Sequence, residues 1–124
     1  MYMMYGIKNC NTVKKSIDWL AERHIPFEFM DVKKNILDLD VLSSWVENMP
    51  SPYTWESLVN RSGMTWRKLD ENEKKNALSQ LGALNLILEK PSVMKRPVIV
   101  KANKIITIGF NEKIFIVEFL WQKL

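Results

Sequence analysis

The sequence predicts a single mixed α/β domain, and three observations carry that reading. A strand, an amphipathic helix and a second strand follow one another within the first 31 residues. The middle third carries only helical patterning. Two β-branched runs separated by a four-residue turn then precede a closing helix. A chain of 124 residues with 47% hydrophobic and 26% charged residues has the composition of an ordinary globular domain. At that length it buries about two-thirds of its unfolded surface and needs neither metal nor disulfide to hold a core.

The elements follow in order. Met1 to Ile7 is short, aromatic and apolar, as a buried strand is. Gly6-Ile7-Lys8-Asn9 reads as a turn, with Asn11 or Thr12 as cap of the helix that follows. Val13, Ile17, Leu20 and Ala21 recur at helical spacing, with Trp19 flanking them and Lys14, Lys15, Asp18 and Glu22 on the other faces. Pro26 stops this helix near His24. Phe27 to Asp31 alternates as a second strand, so the unit predicts a parallel pair with a right-handed crossover.

In the middle third, Leu39, Leu42, Trp45, Val46 and Met49 form one helical stripe, closed by Pro50 and Pro52. Trp55, Leu58 and Val59 form a shorter one before Gly63. Asp70 with Glu73 makes a capping box that leads into Ala77, Leu78 and Leu81, and Leu84, Ile87 and Leu88 precede Pro91. Pro97 to Val100 and Ile105 to Ile108 then predict a hairpin around Lys101-Ala102-Asn103-Lys104. Gly109 punctuates, Asn111 caps, and Ile114 to Leu120 closes the chain as a helix. The order is that of a thioredoxin-like fold: a mixed four-stranded sheet with an all-helical insertion.

The charge balance, 18 basic against 14 acidic residues, is a mild excess of +4 and reads as solvated surface with room for a local anion site. One cysteine makes no internal disulfide, so nothing points to an oxidising compartment. The N-terminus has no basic leader and no cleavage site, and no run approaches the ~18 apolar residues of a membrane span. The expectation is a cytoplasmic protein that binds neither membrane nor nucleic acid, core packing accounting for most of the five tryptophans. One histidine and one cysteine without ligand spacing exclude a zinc site.

The residue that could carry chemistry is Cys10, set between a strand end and a helix start. Unpaired amides and positive partial charge at a helix N-terminus stabilise an anion, and a thiolate is one. The free pKa of ~8.5 is drawn down in such a place. Lys8, Lys14 and Lys15 are near in sequence and would add to the field. The bland alternative is a small apolar residue in the core. Val13 stands where a C-x-x-C pair would put its second cysteine, so a redox cycle through Cys10 needs an external thiol, with glutathione the obvious supply. Lys95-Arg96-Pro97 could hold a carboxylate or oxyanion beside an unusual proline turn; composition alone favours a solvated pair and a strand that begins with proline.

Tyr5-Gly6-Ile7-Lys8-Asn9-Cys10-Asn11-Thr12-Val13-Lys14-Lys15 resembles the opening of the ArsC/Spx family, in its YffB-like branch. Asn60 to Leu69 resembles the branch's middle motif, Pro91 to Val98 its third, and Gly109-Phe110 its last. The resemblance covers nearly the whole chain and implies one domain. Residues 1–35 and 91–124 would form its thioredoxin-like part, and residues 36–90 the helical insertion. It implies Cys10 as nucleophile, Arg96 near it and a cis peptide at Pro97. It also implies one of three activities: arsenate reduction with glutathione and glutaredoxin, glutathione-dependent thiol reduction, or transcription control through RNA polymerase.

The expected function is a glutathione-dependent thiol oxidoreductase, with Cys10 and Arg96 catalytic. Lys8, Asn9, Thr12, Arg61 and Pro97 would contact substrate or glutathione, the suspected co-substrate. The alternative is an Spx-like regulator that binds RNA polymerase or another protein; a fold relic with a silent site is the third. An arsenate clamp needs three arginines. Arg96 matches one and Arg61 could serve as the second, but no arginine follows Gly109, so weak arsenate turnover is expected.

Overall fold

The computed structural model describes residues 1–35 and 37–121. Ile36, at the head of the expected insertion, and residues 122–124 at the end of the expected thioredoxin-like part lie outside the described residues. The elements are β1 (Tyr2–Gly6), α1 (Asn11–Glu22), β2 (Phe27–Asp31), α2 (Leu39–Glu47), α3 (Met64–Arg67), α4 (Glu71–Asn76), α5 (Gln80–Glu89), β3 (Val98–Lys101), β4 (Lys104–Ile108) and α6 (Glu112–Phe115). Two 3₁₀ turns lie at Trp55–Leu58, between α2 and α3, and at Pro91–Val93, after α5, and α6 runs on as a wider π-helical turn over Ile116–Leu120.

The sheet has the order β2-β1-β3-β4. β1 runs parallel to β2 and antiparallel to β3, and β3 and β4 form an antiparallel hairpin, so the sheet is mixed. The hairpin closes at Ala102 and Asn103, with φ of 52° and 60°. Positive φ at both central residues gives a turn whose twist matches that of the flanking strands.

Alternation along the strands divides the core in two. Tyr2, Met4 and Ile99 face Val13, Trp19 and Leu20 of α1 together with Phe115 and Phe119. Val98, Val100, Ile105 and Ile108 face the insertion, against Leu42, Trp45, Leu84 and Ile87. Met3 and Tyr5 of β1 also pack on the insertion side, so β1 is covered on both faces and the sheet is the middle of three layers. Gly6 ends β1 where an added Cβ would come within 3.0 Å of Val13 Cγ2, so its lack of a side chain lets the strand end press on α1.

Several sequence expectations change. Neither Asn11 nor Thr12 caps α1: Cys10 is the N-cap, extended at φ −132° and ψ 125°, and its carbonyl accepts the Lys14 amide at 2.9 Å. Trp19 lies inside α1 and is buried, whereas Ala21 is exposed. The capping box at Asp70 forms as read, each side chain taking the other residue's amide at 2.8 and 3.1 Å. Its helix stops at Asn76, because Ser79 starts a new one by accepting the Gly82 amide at 3.1 Å. That break leaves Leu78 and Leu81 outside the core, 66% and 59% exposed.

Candidate active site

The N-terminal turn of α1 positions Cys10. As the N-cap, it faces the amides of the second and third helical residues, Thr12 and Val13, which have no intrahelical acceptor. The neutral thiol makes no capping hydrogen bond; it is the thiolate that these amides and Arg96 favour. Partial burial pushes the Cys10 pKa up, while the Val13 amide, the Arg96 guanidinium and the Thr12 amide pull it down by hydrogen bonding, aided by the charge of Arg96. The downward pull prevails, and the thiol lies below its ordinary value of 9.0. The sulfur is half-buried, with the aromatic core behind it.

Arg96 is anchored from the other side. Its Nη1 donates to the Ser92 and Met94 carbonyls, at 2.6 and 3.2 Å. These bonds fold the side chain back over the Pro91–Val93 turn. Its Nε is buried without a protein partner. The Arg96–Pro97 peptide is cis. Pro97 is buried and its carbonyl accepts the Gly109 amide at 2.8 Å, which joins the lead-in of β3 to the end of β4.

Cys10, Thr12, Val13 and Arg96 therefore come together. Thr12 contributes its amide, while its carbonyl accepts the Ser16 hydroxyl at 2.9 Å. Lys8, Asn9, Lys14 and Lys15 are exposed, and the field at the sulfur comes from amides and Arg96 rather than from these lysines. Arg61 is engaged elsewhere: its guanidinium lies 3.8 Å from the Glu56 carboxylate and 5.5 Å from the centre of the Trp66 ring. Sequence reasoning missed Val13 as a thiolate donor, because it placed the cap one or two residues late. With Cys10 as N-cap, the capping rule itself points to the amides two and three residues on.

Among the described residues, no three or more His, Cys, Asp or Glu side chains gather where a metal could sit. No described helix is long and apolar enough to cross a membrane.

A thioredoxin-like sheet, a helical insertion and one cysteine at the first helix, met by an arginine ahead of a cis proline, define an arsenate-reductase-like thiol fold. The chain belongs to the ArsC family, whose model matches residues 5–115. It is 35% identical to the solved YffB (PA3664) protein, with a TM-score of 0.84 over 95% of this chain and 98% of that one. It is 42% identical to a Haemophilus influenzae protein of no stated function, over 91% of this chain and 94% of the other. It is also 30% identical to the global transcriptional regulator Spx 1 of Oceanobacillus iheyensis, over 90% of this chain and 82% of that one.

Proposed function

We propose that this protein is a glutathione-dependent thiol oxidoreductase in which Cys10 is the nucleophile. The observation that supports this most is the set of groups around the sulfur. Two helix amides and a guanidinium favour the thiolate strongly enough to overcome partial burial.

The cycle needs one cysteine. The Cys10 thiolate attacks the glutathione sulfur of a mixed disulfide, the S–S bond breaks, and the substrate thiolate leaves with the electron pair and takes a proton from water. Cys10 is then joined to glutathione. The thiolate of a second glutathione attacks the glutathione-side sulfur, releasing oxidised glutathione and restoring the Cys10 thiolate. The substrate is reduced by two electrons, and two glutathione molecules end as one disulfide. A low thiol pKa makes Cys10 a good leaving group in the second step, and the amides and Arg96 supply it. Lys8 and Asn9 are exposed and would contact the incoming peptide, and backbone groups beside Pro97 would pair with it like an added strand.

Alkylation of Cys10 followed against pH tests this. The midpoint is expected below the free-cysteine value of ~8.5, and a midpoint at or above it overturns the activated-thiol reading. Intact mass after treatment with oxidised glutathione should show one fast adduct, absent from Cys10→Ser.

A second reading, a regulator that works by binding RNA polymerase or another protein, is favoured by the likeness to Spx and by exposed Met64, Leu78 and Leu81 on the insertion. Pull-downs with wild type and Cys10→Ser separate the two. Equal capture by both, with no thiol turnover, favours the regulator.

A further inference from the structure

A polar groove of about 440 Å³ opens beside Lys95, between the Tyr53–Ser62 stretch of the insertion and the end of β4. Its backbone is pinned: the Lys95 amide donates to the Leu58 carbonyl and the Asn60 amide to the Val93 carbonyl, each at 2.8 Å. Glu56, Arg61 and Lys95 carry its charge, and Thr54, Ser57 and Asn60 add hydroxyl and amide groups.

Lys95 occupies an unusual position in it. Gly109 has φ +77°, and a Cβ built there would lie 3.0 Å from Lys95 Cε and 3.8 Å from its Nζ. The end of the lysine thus fills the space that a side chain at 109 would take. Its ammonium therefore lies beside Gly109, just past the end of β4. Among the described residues Lys95 has no ion-pair partner, whereas Arg61 is paired with Glu56 at 3.8 Å. Consecutive Cα atoms are about 3.8 Å apart or less, so Lys95 and the arginine that serves Cys10 sit on one short stretch of chain.

We propose that Lys95 and this groove recognise the charged backbone of the thiol co-substrate, selecting a zwitterionic peptide thiol that bears carboxylates over a neutral thiol. This deepens the oxidoreductase reading and rests on it for the chemistry at Cys10. The charge pattern argues for such a ligand. The unpaired Lys95 ammonium takes a carboxylate, the Arg61–Glu56 pair offers a cation to a second carboxylate and an anion to an α-ammonium, and the hydroxyl and amide groups suit peptide bonds. A phosphate would use Lys95 and Arg61 but would bring no ammonium to the Glu56 carboxylate, which a zwitterionic peptide does. Lys95 is a specificity residue and takes no part in bond making.

The test uses S-methylglutathione, which has no free thiol, titrated into the wild-type protein by NMR or calorimetry. Binding should move the amide signals of residues 54–62 and 95. Lys95→Met should weaken it about fivefold, the scale of one exposed charge contact, while Lys95→Arg should largely preserve it. The dimethyl ester should bind weakly to wild type and Lys95→Met alike. Equal affinity for acid and ester, no effect of Lys95→Met, no binding, or inorganic phosphate binding the same amides as tightly would overturn the proposal. Cys10 alkylation of Lys95→Met against pH keeps the two readings apart. An inert Cys10 with Lys95-dependent binding defeats the oxidoreductase and leaves the groove; a reactive Cys10 with Lys95-independent binding does the reverse.

Discussion

The two faces of the sheet are built differently. On the α1 face, large rings meet edge-on: Tyr2 and Phe119 at 5.0 Å, Trp19 and Phe115 at 5.3 Å, Phe110 and Phe115 at 4.9 Å, Phe115 and Phe119 at 5.0 Å. Edge-to-face rings gain from their quadrupoles beyond the area they bury. This face carries the helix whose first turn holds Cys10. The insertion face is mainly aliphatic, with one edge-on pair of Tyr5 and Trp45 at 4.9 Å, and is pieced together from short helices, three of the four begun by a side-chain cap: Asp38 on the Val41 amide, Asp70 on that of Glu73, Ser79 on that of Gly82. It presents the polar groove and the exposed leucines. The contrast teaches that the sulfur is held on the face packed by rings, while the groove proposed for recognition belongs to the assembled one.

Substitutions should show that difference, beginning with the rings. Phe119→Ala removes a fully buried ring and should cost about 3–5 kcal/mol in urea unfolding. A loss under 1 kcal/mol would mean that the ring contacts do not hold that face together.

Arg96→Met comes next, since it deletes the one contribution to the sulfur's field that originates outside α1. The Cys10 alkylation midpoint should rise, and the rate at pH 7 should fall, by less than the loss of thiolate because a more basic thiolate is more nucleophilic. The same lowered pKa has a stability counterpart. A thiol whose folded value lies below the unfolded 9.0 adds stability that is fully present above 9.0 and is lost as pH falls through the folded value. Wild type should therefore gain on Cys10→Ser as pH rises, and parallel pH profiles of the two in thermal melts would contradict the site's electrostatics.

Asp70→Ala takes one cap from the assembled face and should cost about 1 kcal/mol, readable in the same urea titration, without moving the Cys10 midpoint. Leu81→Gln, on an exposed position of α5, should change stability by less than about 0.5 kcal/mol. If it abolishes capture of a protein partner while Cys10 reactivity is intact, the assembled face is a docking surface and the regulator reading gains.

Much of the fold was legible in the residues. β2 spans Phe27–Asp31 as the alternation reads, and the Asp70–Glu73 box, the Asn111 cap and the turn at Ala102-Asn103 are local signals that the structure repeats. The breaks were less legible. Ala77-Leu78 continues a helical pattern, and nothing in its periodicity announces that Ser79 will open a new helix. The final run from Ile114 widens into a π-helical turn that apolar spacing does not distinguish from an α-helix. At the site, Cys10 could be singled out because it sits at a strand-to-helix boundary, yet the amides of Thr12 and Val13 depend on which residue is the cap, a matter of one backbone angle.

By itself, the order of residues determined the sheet, its helical insertion and the single thiol without an internal partner, because periodicity, capping and cysteine count are properties of short stretches. Tertiary structure alone decided that Arg96, 86 positions further on, meets that thiol, that Arg61 turns to Glu56 and Trp66 instead, and that Lys95 fills the space above Gly109. Those meetings depend on how β1 and β3 pair in the sheet and on where the insertion folds back, and no local pattern encodes the distance between residues that only packing brings together.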